Sequence, residues 1–239
     1  MRYKHLFWDF DGTLYDSYPQ ILNALKQTLQ SYSLPVPPDE DLLREVKILV
    51  SHALNTFGGG LPQEELMARF QSFHHAIASF PLYEGTAQCL KTLQASGVRH
   101  YLYTHRSLTA RKQLEQDGLW PLFSDFVTSE DGFPLKPAPD ALLALARRNG
   151  LDVSECAMIG DREIDVQSGY NAGMSGILFD PENFYPDCRA EKHVRSMKEL
   201  CEWILEKLSF RQTDVFSSVC FRLDESAFHF SEGISPLNG

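Results

Sequence analysis

Two aspartates one residue apart, Asp9 and Asp11, follow the apolar run 6–8, and a glycine comes directly after them. The run is typical of a buried strand, which rarely carries carboxylates because an unpaired charge is costly to remove from water. Residues i and i+2 of an extended chain point to the same side. Both carboxylates would therefore enter one small space, where they need a cation or a shared proton. An acidic turn is the alternative interpretation, because Asp-Gly is a common turn dipeptide.

Further polar residues stand at the ends of other predicted strands. Thr104 follows an apolar run at 98–103, and Asp161 follows one at 156–160. Lys136 lies in the loop after a short predicted strand at 125–128, and Asp165 comes one helical turn after Asp161. The carboxyl ends of parallel strands meet at one edge of a sheet, which is where such folds place their chemistry. We therefore expect carboxylates, a hydroxyl and an ammonium group to converge there.

The elements that would position these residues alternate along the chain from residue 81. Helical patterns cover about 85–96, 107–117, 139–148, 161–172 and 196–208, and a fourth strand of this half is predicted near 176–179. Alternation of strands and helices favours a parallel sheet covered on both faces. The predicted fold class is α/β, with a Rossmann-like parallel sheet.

The stretch 18–79 has a different character, because its apolar residues recur at helical spacing and little of it resembles a strand. One helix is predicted through residues 42–50, and breakers stand at 35–38 and 58–60. We predict an α/β core formed by 1–16 and 81–211, a helical insert at 17–80, and a tail at 212–239 of unknown structure. Within the tail, 215–223 and 227–230 alternate weakly, which leaves a hairpin or disorder open.

Composition excludes several functional classes. The chain has 22 Lys and Arg against 32 Asp and Glu, a net charge of −10, so nothing favours binding to nucleic acid or to an anionic membrane. No apolar run approaches the ~20 residues of a membrane span. The five cysteines have no zinc-ligand spacing. We expect a reduced, cytoplasmic protein, either a monomer or a homodimer.

Four motifs carry a family resemblance. The stretches 9–14 (DFDGTL), Thr104, Lys136 with its proline, and 160–165 (GDREID) occur in the order and at the separations of the haloacid dehalogenase superfamily. The helical insert resembles the cap of its phosphoglycolate phosphatase-like and β-phosphoglucomutase-like members. The resemblance covers residues 3 to 208.

The resemblance implies roles that fit the chemistry of the residues. Asp9 would attack phosphorus and form an aspartyl-phosphate. Asp11 would act as general acid and then as general base. The implied cofactor is Mg²⁺, a hard cation that prefers oxygen ligands. Its ligands would be Asp9, the backbone carbonyl of Asp11, and Asp161, with Asp165 holding a bound water or Lys136.

Thr104 and Lys136 would bind the phosphoryl oxygens, according to the same resemblance. Two roles remain open for Arg106: it binds a phosphate or a substrate carboxylate, or it pairs with Glu163. Glu163 and Arg162 are predicted to be surface residues of the loop after the fourth motif.

Three other residues remain open at the sequence level. His105 is predicted to pack or to support a neighbouring ligand, although it is kept as a candidate substrate contact. Lys47 and His52, in the insert, face either the substrate or solvent.

The predicted activity is hydrolysis of a small phosphorylated metabolite by a Mg²⁺-dependent phosphatase. Family proximity makes phosphoglycolate the first candidate substrate. The alternative is a sugar-phosphate mutase of the β-phosphoglucomutase type, which would use the same residues. A dehalogenase is disfavoured, because its chemistry has no use for an acid at Asp11.

Overall fold

A computed structural model of the protein describes residues 3–209. Its centre is a six-stranded parallel sheet in the order β3-β2-β1-β4-β5-β6. The strands are β1 (His5–Trp8), β2 (Arg99–Tyr103), β3 (Phe123–Val127), β4 (Cys156–Gly160), β5 (Ser175–Phe179) and β6 (Lys192–Val194). The parallel α/β fold predicted from the sequence is confirmed, whereas β6 was not among the predicted strands.

Helices connect these strands and cover the sheet. They are α1 (Tyr18–Ser31), α2 (Asp39–Ile48), α3 (Val50–Phe57), α4 (Gln63–His74), α5 (Thr86–Ala95), α6 (Thr109–Gln116), α7 (Asp140–Arg148), α8 (Glu163–Asn171) and α9 (197–209). Within residues 3–209, no helix is both long enough and apolar enough to cross a membrane.

The two faces of the sheet bury different apolar layers, because successive strand residues point to opposite faces. Leu6 and Trp8 belong to a cluster that includes residues of α5, α6 and α9. Phe7, between them, belongs to a second cluster with residues of α7, such as Leu142 and Leu145. Helices on both faces fix the sheet edge at which the strands end.

The connection from β1 to β2 contains α1 to α4, which bury an apolar cluster of their own. Its members include Ile21 and Leu25 of α1, Leu42 and Val46 of α2, Leu54 of α3, and Leu66 and Phe70 of α4. The predicted breakers at 35–38 and 58–60 separate α1 from α2 and α3 from α4. The division of the chain into a core and an insert domain remains a prediction.

The single helix predicted through residues 42–50 is wrong. α2 ends at Ile48, Leu49 is extended (φ −163°, ψ 147°), and α3 begins at Val50. Neither proline nor glycine marks this break, so the usual breaker residues could not indicate it. The predicted hairpin or disorder of the tail lies outside the described residues.

The chain enters and leaves the helical block at one place. The Asp16 amide donates to the Pro81 carbonyl (2.9 Å), and the Tyr83 amide donates to the Leu14 carbonyl (3.1 Å). Between these bonds, Tyr15 forms an antiparallel bridge with Leu82. The two crossings are therefore held side by side just beyond β1.

Candidate active site

The ends of neighbouring strands bring the predicted site residues together. Asp9 follows β1, and its amide donates to the Ile159 carbonyl of β4 (2.9 Å). Asp161 follows β4 directly, and Thr104 follows β2. All three side chains are buried. They lie where the strand order reverses beside β1, the position at which open α/β sheets bind ligands.

Lys136 is buried beside this group and connects Asp9 to Asp165. Its ammonium group is 2.9 Å from Asp9 Oδ1 and 2.7 Å from Asp165 Oδ1, and it donates to the Tyr103 carbonyl (3.1 Å). Three acceptors match the three N–H groups of a lysine. The Lys136 amide donates to His105 Nε2 (3.0 Å), so His105 positions the loop that carries the lysine.

The two aspartates on Lys136 respond differently to their surroundings. Burial raises the pKa of Asp9 to about 7, and Lys136 only partly opposes this while Asp165 adds to it. Burial would also raise the pKa of Asp165, but Lys136 and Arg162 together hold it below the ordinary value. Asp165 therefore keeps its charge, and Asp9 takes up a proton more readily than an exposed aspartate.

Asp9, Asp161 and Asp165 form a group that could hold a metal ion. One carboxylate oxygen of each lies within 4.8 Å of the others, and all three residues are buried. Asp9 Oδ2 and Asp161 Oδ1 are buried and accept no hydrogen bond within the described part of the chain. Buried oxygens of this kind, all from carboxylates, suit a hard divalent cation. The Asp11 side chain is not part of this group.

Two glycines make room for this arrangement. Gly12 has φ +73°, and a Cβ there would lie 2.5 Å from Asp161 Oδ2. A Cβ on Gly160 would lie 2.2 Å from the Cβ of Asp165. Both distances are far inside van der Waals contact. Glycine is therefore required on each side of the carboxylate group.

Asp11 faces a different partner from the other aspartates. Arg106 contacts both of its carboxylate oxygens, with Nε 3.0 Å from Oδ2, and Ser17 Oγ donates to Oδ1 (2.6 Å). Burial would raise the pKa of Asp11, but Arg106 and the Ser17 hydrogen bond hold it below the usual value. Of the two alternatives left open for Arg106, pairing with Glu163 is not found: the guanidinium contacts Asp11, and Glu163 is exposed.

A cavity of about 330 Å³ opens above these side chains, between the strand ends and the helical block. Asp9, Asp11, Thr104, Arg106 and Arg162 line its floor. The residues within 3–209 that line the cavity do not include Lys136. A ligand in the cavity would therefore meet Asp9 first, with Lys136 behind it.

A family model of haloacid dehalogenase-like hydrolases matches residues 6–179, which is most of the chain. The chain belongs to this family. A phosphoglycolate phosphatase of Vibrio parahaemolyticus is 32% identical over 187 residues, with 71% of this chain and 80% of that protein covered. An N-acetylmuramic acid 6-phosphate phosphatase of Pseudomonas aeruginosa is 28% identical over 183 residues, with 72% and 80% covered.

Solved structures share this fold. A hydrolase from Streptococcus pneumoniae is 29% identical, with a TM-score of 0.57 and 75% of this chain and 94% of that chain covered. A HAD-superfamily hydrolase of subfamily IA from Geobacter sulfurreducens is 21% identical, with a TM-score of 0.65 and coverages of 84% and 96%. The haloacid dehalogenase resemblance predicted from the sequence is confirmed.

Two cations of this hydrolase differ from the sequence-based prediction. Arg162 is not a surface residue: its side chain is 11% exposed and its guanidinium lies 3.7 Å from Asp9 Oδ2. Lys47 is also buried, 2.8 Å from Asp161 Oδ2, which the Tyr18 hydroxyl contacts at the same distance. His52, by contrast, is at the surface and lies 3.0 Å from Glu45.

The sequence carried a usable signal for one of these two residues. Arg162 directly follows Asp161 in a loop between a strand and a helix, where a side chain can turn back over the strand end. For Lys47 no such signal exists, because its position depends on how α2 packs against the ends of the strands. Helical spacing alone leaves a lysine beside Val46 equally suited to solvent.

Proposed function

We propose that this hydrolase is a Mg²⁺-dependent phosphatase that acts on a small phosphorylated metabolite through an aspartyl-phosphate at Asp9. The observation that carries the proposal is Asp9 itself: a buried carboxylate at the cavity floor, with one oxygen on Lys136 and the other without a hydrogen bond. The phosphatases of Vibrio parahaemolyticus and Pseudomonas aeruginosa that resemble the chain support it.

Asp9, Asp161 and Asp165 would hold the cation, and the backbone carbonyl of Asp11 stays a predicted additional ligand. Bound there, Mg²⁺ would supply positive charge beside the phosphoryl oxygens. Thr104 and Arg162 line the cavity next to Asp9 and can donate to the same oxygens. Lys136 was also predicted to bind them, but its three contacts with protein oxygens suit it better to orienting Asp9.

In the first step, one Asp9 oxygen attacks phosphorus, and the bond from phosphorus to the leaving oxygen breaks. Asp11 gives its proton to that oxygen, so the product leaves as a neutral alcohol. In the second step, Asp11 takes a proton from a water molecule that attacks phosphorus. The bond between phosphorus and Asp9 then breaks, which releases phosphate and restores the carboxylate.

Arg106 sets a condition on the first step. Its contacts with both oxygens keep Asp11 ionised, and an ionised carboxylate has no proton to give. Arg106 lines the cavity, so the phosphoryl group of an incoming substrate can draw the guanidinium away from Asp11. Substrate binding would thereby allow Asp11 to take up the proton that it delivers.

The test is phosphate release from p-nitrophenyl phosphate and phosphoglycolate, with Mg²⁺ and with chelator. We expect release only with Mg²⁺, and we expect borohydride to reduce the trapped acyl phosphate to homoserine at position 9. Asp187→Asn, at an exposed aspartate, is the matched control for Asp9→Asn. Full turnover in chelator would refute the metal assignment, and unimpaired Asp9→Asn would refute the nucleophile. Conversion of β-glucose 1-phosphate to the 6-phosphate would instead identify a mutase.

A further inference from the structure

The cavity has two walls of opposite character. Its floor carries Asp9, Asp11, Arg106 and Arg162 of the candidate active site. The facing wall is apolar, and most of it comes from the helical block. This apolar wall consists of Ile21, Val46, Leu49, Val50, Met67 and Phe70, with Leu135 from the loop before Lys136.

The residues around the break between α2 and α3 contribute to the apolar wall. Val46, Leu49 and Val50 have the i, i+3, i+4 spacing that defines one apolar helix face. All three line the cavity, although Leu49 is extended and interrupts the helix. Residues on both sides of the break thus supply apolar surface to the cavity.

Few polar groups in the helical block face the cavity. The hydroxyl of Tyr18 is already bonded to Asp161, which leaves Ser51 and His74 among the lining residues of α1 to α4. His74 stacks between Phe70 (5.3 Å between ring centroids) and Phe80 (5.7 Å). Burial, followed by the nearby Arg106, lowers the pKa of His74 to about 4, so the ring is neutral at pH 7.

We propose that the substrate is a phosphate monoester whose leaving alcohol has an extended apolar body, alkyl or aryl, without several hydroxyl groups. The inference rests on the proposed phosphatase activity. A sugar would place hydroxyl groups against the apolar wall, where they lose hydrogen bonds to water and gain few in return. Phosphoglycolate would reach Arg106 with its carboxylate but would leave most of the 330 Å³ unfilled.

A chain-length series measures the contribution of the apolar wall. The substrates are ethyl, butyl and hexyl phosphate, compared with phosphoglycolate and glucose 6-phosphate, all with Mg²⁺. The n-alkanols are nearly equal as leaving groups, so rate differences among their esters report contacts with the wall. We expect kcat/KM to rise on the order of a hundredfold from ethyl to hexyl phosphate, and to be highest for the hexyl ester.

A variant of the apolar wall tests whether this surface recognises the alkyl group of the substrate. Met67→Gln replaces a lining residue by a polar one of similar size, and it should lower the ratio of hexyl to ethyl kcat/KM roughly tenfold. Leu61→Gln is the matched control, because Leu61 lies in the same block, is exposed and does not line the cavity. It should leave the ratio unchanged.

The outcomes separate the two proposals. A higher kcat/KM for phosphoglycolate or glucose 6-phosphate than for hexyl phosphate would overturn the apolar substrate and leave the phosphatase intact. If Met67→Gln does not reduce the preference for hexyl phosphate, the apolar wall does not recognise the alkyl group of the substrate. That result also overturns the inference. If no phosphate ester is hydrolysed, the proposed phosphatase activity itself fails.

Discussion

In the candidate active site, negatively charged side chains are paired with positively charged ones. Within residues 3–209, four buried or half-buried carboxylates lie close to four cations there. The carboxylates are Asp9, Asp11, Asp161 and Asp165, and the cations are Lys47, Arg106, Lys136 and Arg162. Without a metal ion the site is therefore not a bare acidic cluster. Burial raises the pKa of Asp9, the proposed nucleophile, despite its contact with Lys136.

Asp9→Asn should separate catalysis from stability. The covalent route requires the carboxylate, so we expect activity to fall on the order of a thousandfold or more. Because the pKa of Asp9 is raised, its charged form disfavours folding, and the metal-free variant should be no less stable than the wild type above pH 7. Melting curves with chelator and with Mg²⁺ measure this, with Asp187→Asn as control.

The same curves test whether Asp9 binds the cation. A ligand at a hundred times its Kd stabilises a fold by about 2.7 kcal/mol. We expect the Mg²⁺-induced rise in Tm to shrink in Asp9→Asn, which has lost one carboxylate ligand. An inactive variant with an undiminished rise would mean that Asp9 is not a metal ligand.

Mg²⁺ affinity should depend on pH through the same residue. With its pKa at about 7, Asp9 is largely protonated at pH 6 in the metal-free protein, and Mg²⁺ must displace that proton. At pH 8 the carboxylate is already ionised. We expect Kd for Mg²⁺ to be roughly tenfold weaker at pH 6 than at pH 8, measured calorimetrically. An equal pH dependence in Asp9→Asn would assign the proton to another group.

The residues that follow strands directly were the ones that sequence could locate. Asp9, Thr104 and Asp161 each stand one position beyond an apolar run, and the sheet carries them to one edge whatever else the chain does. The partners of these residues depend on packing. The contact of Arg106 with Asp11 joins loops 95 residues apart, which no local spacing determines.

At the level of elements, α2 brings one lysine, Lys47, into contact with a candidate metal ligand. The Lys47 ammonium lies near the rings of Tyr18 (4.8 Å) and Phe184 (5.1 Å) as well as beside Asp161. It therefore occupies an oxygen of a candidate metal ligand, and it comes from the helical block. The Asp161 carboxylate is therefore both a candidate metal ligand and the contact of α2 with the strand ends.

Lys47→Met should tighten Mg²⁺ binding. The variant keeps an apolar chain of similar length but removes the charge that competes for Asp161 Oδ2. We expect Kd for Mg²⁺ to fall on the order of tenfold, equivalent to about 1.4 kcal/mol. Lys26→Met, at a lysine of α1 that pairs with Asp39, is the control. Unchanged or weaker Mg²⁺ binding in Lys47→Met would contradict the competition.

Elements differ in how far sequence could predict them. β1 and β4 were predicted almost to the residue, because buried parallel strands are continuous apolar runs. β6 has only three residues, two of them half-buried and polar, so no such run marks it. The break at Leu49 lies within an apolar helical pattern, and only the packing of α2 and α3 reveals it.

In the molecule as a whole, the groups proposed for phosphoryl chemistry and the surface proposed for substrate selection come from different parts of the chain. The strand ends carry the groups that any phosphate ester would need, and the apolar wall comes mostly from the helical block. We expect a variant in which a short linker replaces 18–79 to lose its substrate ranking, with kcat/KM values for different esters within roughly tenfold of one another.

This variant is informative only if it folds. Circular dichroism and a cooperative melting transition provide that control, and p-nitrophenyl phosphate reports the remaining chemistry. A folded variant that keeps the wild-type ranking of substrates would show that discrimination resides in the sheet edge instead.

The paired crossings at 14–16 and 81–83 have a consequence for how the chain can vary. The two ends of the helical block are hydrogen-bonded to each other next to the sheet. The sheet is therefore connected to the same short junction whatever the length of the helical block. The entropy of closing a loop grows only with the logarithm of its length. Helices could thus be lengthened, shortened or exchanged there at small cost to the sheet, so that new specificities could arise while the hydrolytic groups stay in place.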